Sequence, residues 1–192
     1  MQITVTATPL DGVVLIDTPF KYDERGFFLE AWHARDYERA GLPARFVQDN
    51  HSRSQRGVLR GLHYQDMRAP LDKMVRCTAG RIFDVAVDLR AGSPTFGKWF
   101  GVELSADTAR QLFVPVGFAH GFQALTEIVE VQYKQTGYYA PETETSIAWN
   151  DPDIGVEWPL PDPLLSVRDK ERAISLRQYR ASPAFSYQAA AR

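Results

Sequence analysis

Arg81-Ile82-Phe83-Asp84-Val85-Ala86-Val87-Asp88-Leu89 carries the pattern that decides the fold. Phe83, Val85, Val87 and Leu89 alternate with Ile82, Asp84, Ala86 and Asp88, the two-residue period of a β-strand. The first set reads as a core face. The second carries two carboxylates and must meet either solvent or a polar lumen. Further along, Val129, Val131 and Tyr133 share a face opposite Glu130, Gln132 and Lys134. Charged residues on otherwise well-formed strands are explained by a barrel with an open, polar-lined interior.

Working outward, short runs rich in Val, Ile, Phe and Tyr and bounded by Gly, Pro, Asn or Asp read as strands. They cover 13–16, 27–32, 45–49, 58–64, 73–78, 82–89, 99–104, 111–114, 121–125, 129–136 and 145–148. One helix is expected over 33–40, stopped by Gly41, and a second begins around Asp169. No repeat or linker divides the chain, so residues 1–192 read as a single domain. Many close-spaced strands with few short helices predict a mainly β sandwich or barrel.

Hydrophobic residues make up 44% of the chain, charged residues 24%, and the formal net charge is -2. That balance gives no electrostatic case for nucleic acid or an anionic membrane as partner. With Cys77 as its one cysteine the chain cannot form an intrachain disulfide; Cys77 reads as a core residue, and a reducing cytoplasm is the expected compartment. The N-terminal stretch lacks the features of a signal peptide, and no apolar run is long enough to span a membrane.

Four histidines are present: His33, His51, His63 and His120. His63 lies in Arg60-Gly61-Leu62-His63-Tyr64-Gln65, and His120 in Pro115-Val116-Gly117-Phe118-Ala119-His120-Gly121-Phe122. Either imidazole alone would read as a satisfied core histidine. Gly61 marks a bulge or a close approach of backbone, which would turn Arg60 and His63 towards one cavity. The two segments resemble the paired cupin motifs, whose metal sites use His-x-His. Here His63-Tyr64-Gln65 stands in that place, one ligand short, so neither a metal nor another cofactor is expected.

Seven segments carry a more specific resemblance. They are FKYDERGFFLE (20–30), FVQDNHS (46–52), RGLHYQ (60–65), DVAVDLRAGSPTFG (84–97), PVGFAHGF (115–122), VQYKQTGYYAPETE (131–144) and IAWNDPDIGVEWP (147–159). In this order they resemble the dTDP-4-dehydrorhamnose 3,5-epimerase family along most of the chain. The resemblance implies a metal-independent homodimer with a cupin-type jelly-roll barrel. It also implies inversion of C3 and C5 of dTDP-4-keto-6-deoxyglucose, a nucleotide-sugar substrate, to give dTDP-4-keto-L-rhamnose. Carried over by position, it makes His63 the base, Asp169 its carboxylate partner, Tyr133 the acid on the opposite face and Lys73 the cation beside the C4 oxygen. Arg25, Phe28, Glu30, Gln48, Asn50, Arg60, His120, Glu144 and Arg168 fall at substrate-contact positions, with Asp84 behind them. N-terminal strands exchanged between subunits would let Arg25 and Glu30 complete the neighbour's site.

The chemistry agrees with those residue types. A proton beside a ketone is removable only if the enolate is stabilised, which a compact ammonium can do. A neutral imidazole near its ordinary pKa of about 6.5 accepts the proton, and a carboxylate on its other nitrogen fixes the tautomer. Inversion then needs a donor across the ring, a task suited to a phenol. Taken singly, Lys73 would be a solvated strand lysine, Tyr133 a core aromatic and Asp169 a helix cap or surface charge. The chain departs from the family where Ser166-Val167-Arg168-Asp169 replaces Ser-Glu-Lys-Asp, and where Leu71-Asp72 precedes Lys73. A relative inverting only C3 or only C5, a metal-dependent cupin oxygenase and a non-catalytic sugar-binding cupin remain the competing readings.

Overall fold

The protein is described from a computed structural model covering residues 2–188. In chain order its elements are β1 (Thr4–Ala7), β2 (Val14–Asp17), β3 (Phe20–Asp23), β4 (Gly26–Leu29), α1 (Ala34–Arg39), β5 (Gln48–Gln55), β6 (Leu59–Gln65), β7 (Lys73–Ala79), β8 (Arg81–Asp88), β9 (Arg90–Ala91) and β10 (Trp99–Ser105). The second half holds β11 (Gln111–Val114), β12 (Phe118–Ala124), β13 (Ile128–Gln135), β14 (Glu144–Ser146), α2 (Val167–Glu171), α3 (Leu176–Ala181) and β15 (Phe185–Ser186).

Two antiparallel sheets face each other. One has the order β1-β2-β11-β7-β13-β5, the other β10-β8-β12-β6-β14. Between them Val75, Cys77, Leu112, Val129 and Val131 of the first sheet meet Ile82, Ala86, Leu104, Phe118 and Phe122 of the second. This is a cupin-type jelly-roll barrel, apolar at one end of its interior. Cys77 sits in that core, and burial pushes its thiol up to about 11.

The alternation in β8 resolves into two buried faces. Ile82 and Ala86 point into the barrel, and so does Asp84 by the same parity. Val85, Val87 and Leu89 point outwards, where Ile147, Ile154, Leu176, Tyr179 and Phe185 cover them. The set that reads as a core face therefore lies under the C-terminal segment. A side chain such as Leu176 or Tyr179, each 1% exposed, gains roughly 1.5–3 kcal/mol from such burial. That docking holds α3, which the sequence reading missed: six residues give little periodicity. Its start is nonetheless marked by a capping box between Ser175 and Gln178.

β5 differs most from expectation. A strand expected over 45–49 lies instead at Gln48–Gln55, because its ladder with β13 needs no apolar residue. Inward Gln48, Asn50 and Ser52 alternate there with exposed Asp49, His51 and Arg53. The strand expected over 27–32 ends at Leu29 and belongs to a separate hairpin, β3–β4. Gly26 closes its turn at φ +121°, and Tyr22, Phe27 and Phe28 stand exposed on it. Strands β1, β3, β9 and β15 were not expected. No helix among the described residues is long and apolar enough to cross a membrane.

Candidate active site

The open end of the barrel encloses a cavity of about 730 Å³. The close approach of β6 and β12 forms part of its floor. A Cβ on Gly61 would lie 2.5 Å from the Gly121 Cα, and Gly61 adopts φ +138°, so glycine is required there. His120 pairs with His63 and Phe122 with Arg60, which leaves β6 one residue longer across the irregularity. Arg60 and His63, three residues apart, consequently line one cavity.

His63 Nε2 lies 2.6 Å from Asp169 Oδ1. A carboxylate only accepts, so Nε2 carries the proton and the lone pair is left on Nδ1. Asp169 comes from α2, whose first turn is fixed by the Ser166 hydroxyl accepting from the Asp169 backbone N–H. Ser146 donates to the same Asp169 oxygen at 3.3 Å. The helix expected near Asp169 thus begins two residues earlier, and Asp169 is buried rather than a cap or a surface charge. Burial pulls the His63 imidazole below its ordinary value against the raising influence of Asp169. Burial would raise Asp169, but the His63 hydrogen bond and charge hold it below the usual carboxylate range.

Arg168 Nη2 lies 3.0 Å from His63 Nε2. Both are donors, so this is a close approach and not a second hydrogen bond. The guanidinium's acceptor is Glu144, whose Oε2 also receives the Tyr139 hydroxyl at 2.9 Å. Lys73 enters from the opposite sheet on the inward parity of Val75 and Cys77. Burial lowers its ammonium, opposed by Glu144 and then Asp84. Tyr133 lines the same cavity; burial, then Glu144, pushes its hydroxyl above the ordinary value, so the phenol keeps its proton. Behind them His120 Nε2 meets Asp84 Oδ1 at 2.8 Å.

The structure therefore gathers His63, Lys73, Tyr133, Asp169, Gln48, Asn50, Arg60, His120, Glu144 and Arg168 around one space, with Asp84 behind His120. Arg25, Phe28 and Glu30 lie outside it. Arg25 pairs with Asp23 in the β3–β4 turn, and Phe28 is 64% exposed. Sequence reasoning missed Ser52, Gln135, Tyr139 and Ser166. Strand parity with Asn50 and Tyr133 marks the first two, and Ser166 is three residues before Asp169, the spacing of a helix cap. Tyr139 carries no such signal beyond being an aromatic on a loop. Among the described residues no three His, Cys, Asp or Glu side chains converge as metal ligands.

Fold and cavity define the class: a cupin-type jelly-roll barrel whose lumen presents acid–base side chains. The family model described as dTDP-4-dehydrorhamnose 3,5-epimerase matches residues 7–177, and the chain belongs to that family, as an isomerase of the epimerase type. It is 54% identical over 173 residues to the dTDP-4-dehydrorhamnose 3,5-epimerase of Pseudomonas aeruginosa, covering 89% of this chain and 94% of that one. The crystal structure of the dTDP-6-deoxy-D-glucose-3,5-epimerase of Legionella pneumophila, in complex with dTDP-4-keto-L-rhamnose, is similar at TM-score 0.93 and 46% identity, covering 98% of this chain and all of that one. A 4-keto-6-deoxy sugar epimerase from the novobiocin gene cluster of Streptomyces spheroides is similar at TM-score 0.92 and 36% identity, covering 97% and 94%.

Proposed function

We propose that this chain inverts C3 and C5 of dTDP-4-keto-6-deoxyglucose, giving dTDP-4-keto-L-rhamnose. The observation that carries this reading is the 2.6 Å His63–Asp169 pair sharing one cavity with Lys73 and Tyr133. His63 takes the proton beside the C4 ketone on the nitrogen that Asp169 leaves free. Asp169 stabilises the imidazolium so formed. The Lys73 ammonium balances the negative charge developing on the C4 oxygen, the kind of contribution whose loss costs about 10²–10³ in rate. Tyr133, kept protonated, returns a proton to the opposite face of the ring. Gln48, Asn50, Arg60, His120, Glu144 and Arg168 hold the nucleotide sugar, guanidinium forks being suited to phosphate oxygens.

The assembly proposed with this activity is a homodimer with exchanged N-terminal strands. Exposed Tyr22, Phe27 and Phe28 on the β3–β4 hairpin support it, as does the position of Arg25 outside the cavity. Sedimentation at micromolar concentration is expected to give a dimer; a monomer contradicts this assembly.

Incubation with dTDP-4-keto-6-deoxyglucose in deuterated water, read by NMR, tests the reaction. Label at both C3 and C5 is expected. Label at one carbon alone assigns the chain to the single-carbon epimerases, and no label refutes the reading.

A further inference from the structure

The cavity holds a cation whose counter-charge is not obvious. Lys73 makes no ion pair among the described residues, although its side chain enters the lumen. An ammonium taken out of water needs compensation. The charged and titratable groups around it are Arg60 and His63 on β6, Asp84 on β8, His120 on β12, Tyr133 on β13, Tyr139 on the loop that follows, Glu144 on β14, and Arg168 and Asp169 on α2. Three of these are carboxylates. Asp169 is engaged by His63 and Ser146, and Glu144 by Arg168 and Tyr139.

Asp84 is different. It is 0% exposed, its Oδ1 is satisfied by His120, and its Oδ2 is buried without any hydrogen-bond partner. An orphaned carboxylate oxygen in a protein interior costs free energy unless a charge offsets it. Parity aims Asp84 from β8 into the lumen, towards the sheet that contains β7. Both Cys77 and Lys73 of β7 feel its charge. The unsatisfied anion of one sheet thus faces the unpaired cation of the other.

We propose that Asp84 is a positioning residue for the epimerisation, serving as the internal counter-charge of the Lys73 ammonium while its other oxygen orients His120. This deepens the proposed mechanism and rests on it. Asp84 touches no substrate; it keeps Lys73 cationic and held in place until the enolate forms. Lys73 remains protonated to higher pH with Asp84 ionised than without it, and the high-lying Tyr133 leaves Lys73 to set the alkaline limb of activity.

The test compares pH profiles of the wild type and Asp84→Asn. The alkaline limb of kcat should move to lower pH in the variant, with about tenfold loss near pH 9, little loss near pH 7 and KM changed less than about twofold. An unmoved limb, or a loss equal at all pH values, refutes the proposal, since a merely structural role would scale kcat without shifting the profile. NMR titration of the Lys73 ammonium gives a second reading that needs no turnover. Its midpoint should fall in Asp84→Asn and be kept in the charge-retaining Asp84→Glu; an equal midpoint in the wild type and Asp84→Asn overturns the inference. Absent turnover with that shift present would sink the reaction assignment alone.

Discussion

Two imidazole–carboxylate pairs stand in this barrel, and they are built differently. His120 and Asp84 come from adjacent strands, where Asp84 opposes Phe122, the next inward residue of β12. Two inward positions on neighbouring strands are diagonal neighbours, so the ladder itself supplies the contact. His63 and Asp169 are separated by 106 residues, and their contact depends on a C-terminal segment docking over the outside of the same sheet. The inner pair is the more enclosed, with side chains 8% and 0% exposed, whereas His63 keeps 16% of its side chain accessible. Only the His120 edge of the inner pair lines the cavity, and Asp84 is shut off behind it. The difference teaches that the barrel builds its electrostatics from the ladder and its reactive edge from a separately docked piece.

Breaking the outer pair should have the largest effect. In the proposed mechanism His63→Asn removes the base, and exchange of label into the sugar should fall by about 10⁴-fold while the circular dichroism spectrum is retained. Asp169→Asn keeps the shape but not the charge, and kcat should fall about 10²–10³-fold. The pH profile carries a sign as well. A base must be neutral, and burial lowers the His63 imidazole, so kcat/KM should hold to below the ordinary imidazole pKa before falling. Asp169 raises that value, so the acid limb of Asp169→Asn should lie lower still.

Smaller changes sharpen the comparison. Tyr133→Phe leaves the base intact and removes the opposite donor. It should slow turnover by about 10²-fold, and part of the exchanged label should return with the starting configuration, as read by NMR. Ser166→Ala strips the cap that fixes Asp169 and should cost about 1 kcal/mol of stability in urea titration. It should also reduce kcat by a few-fold, since α2 would hold Asp169 less firmly.

The strands that carry the barrel core were legible wherever apolar residues alternate, as in β7, β8 and β13. β5 was not, because a strand paired through its backbone and lining a polar cavity has no hydrophobic signature. The same absence hid Ser52. His63 and His120 drew attention through their surroundings, and Gly61 foretold the irregularity that brings Arg60 beside His63. The pairing of His63 with Asp169 was accessible only through family resemblance, since no local pattern relates residues so far apart.

By itself the sequence determined that the chain folds as strands with a two-residue period, and that carboxylates must share strands with core residues. It also determined which residue types were available for acid–base work. Local sterics and side-chain alternation are properties of neighbouring residues, so they can be read directly. Which face of β8 is the lumen, and which carboxylate meets which imidazole, were decided only when two sheets stacked and the C-terminal segment covered one of them. Those are long-range contacts, set by the burial of apolar surface, which no short stretch of sequence contains.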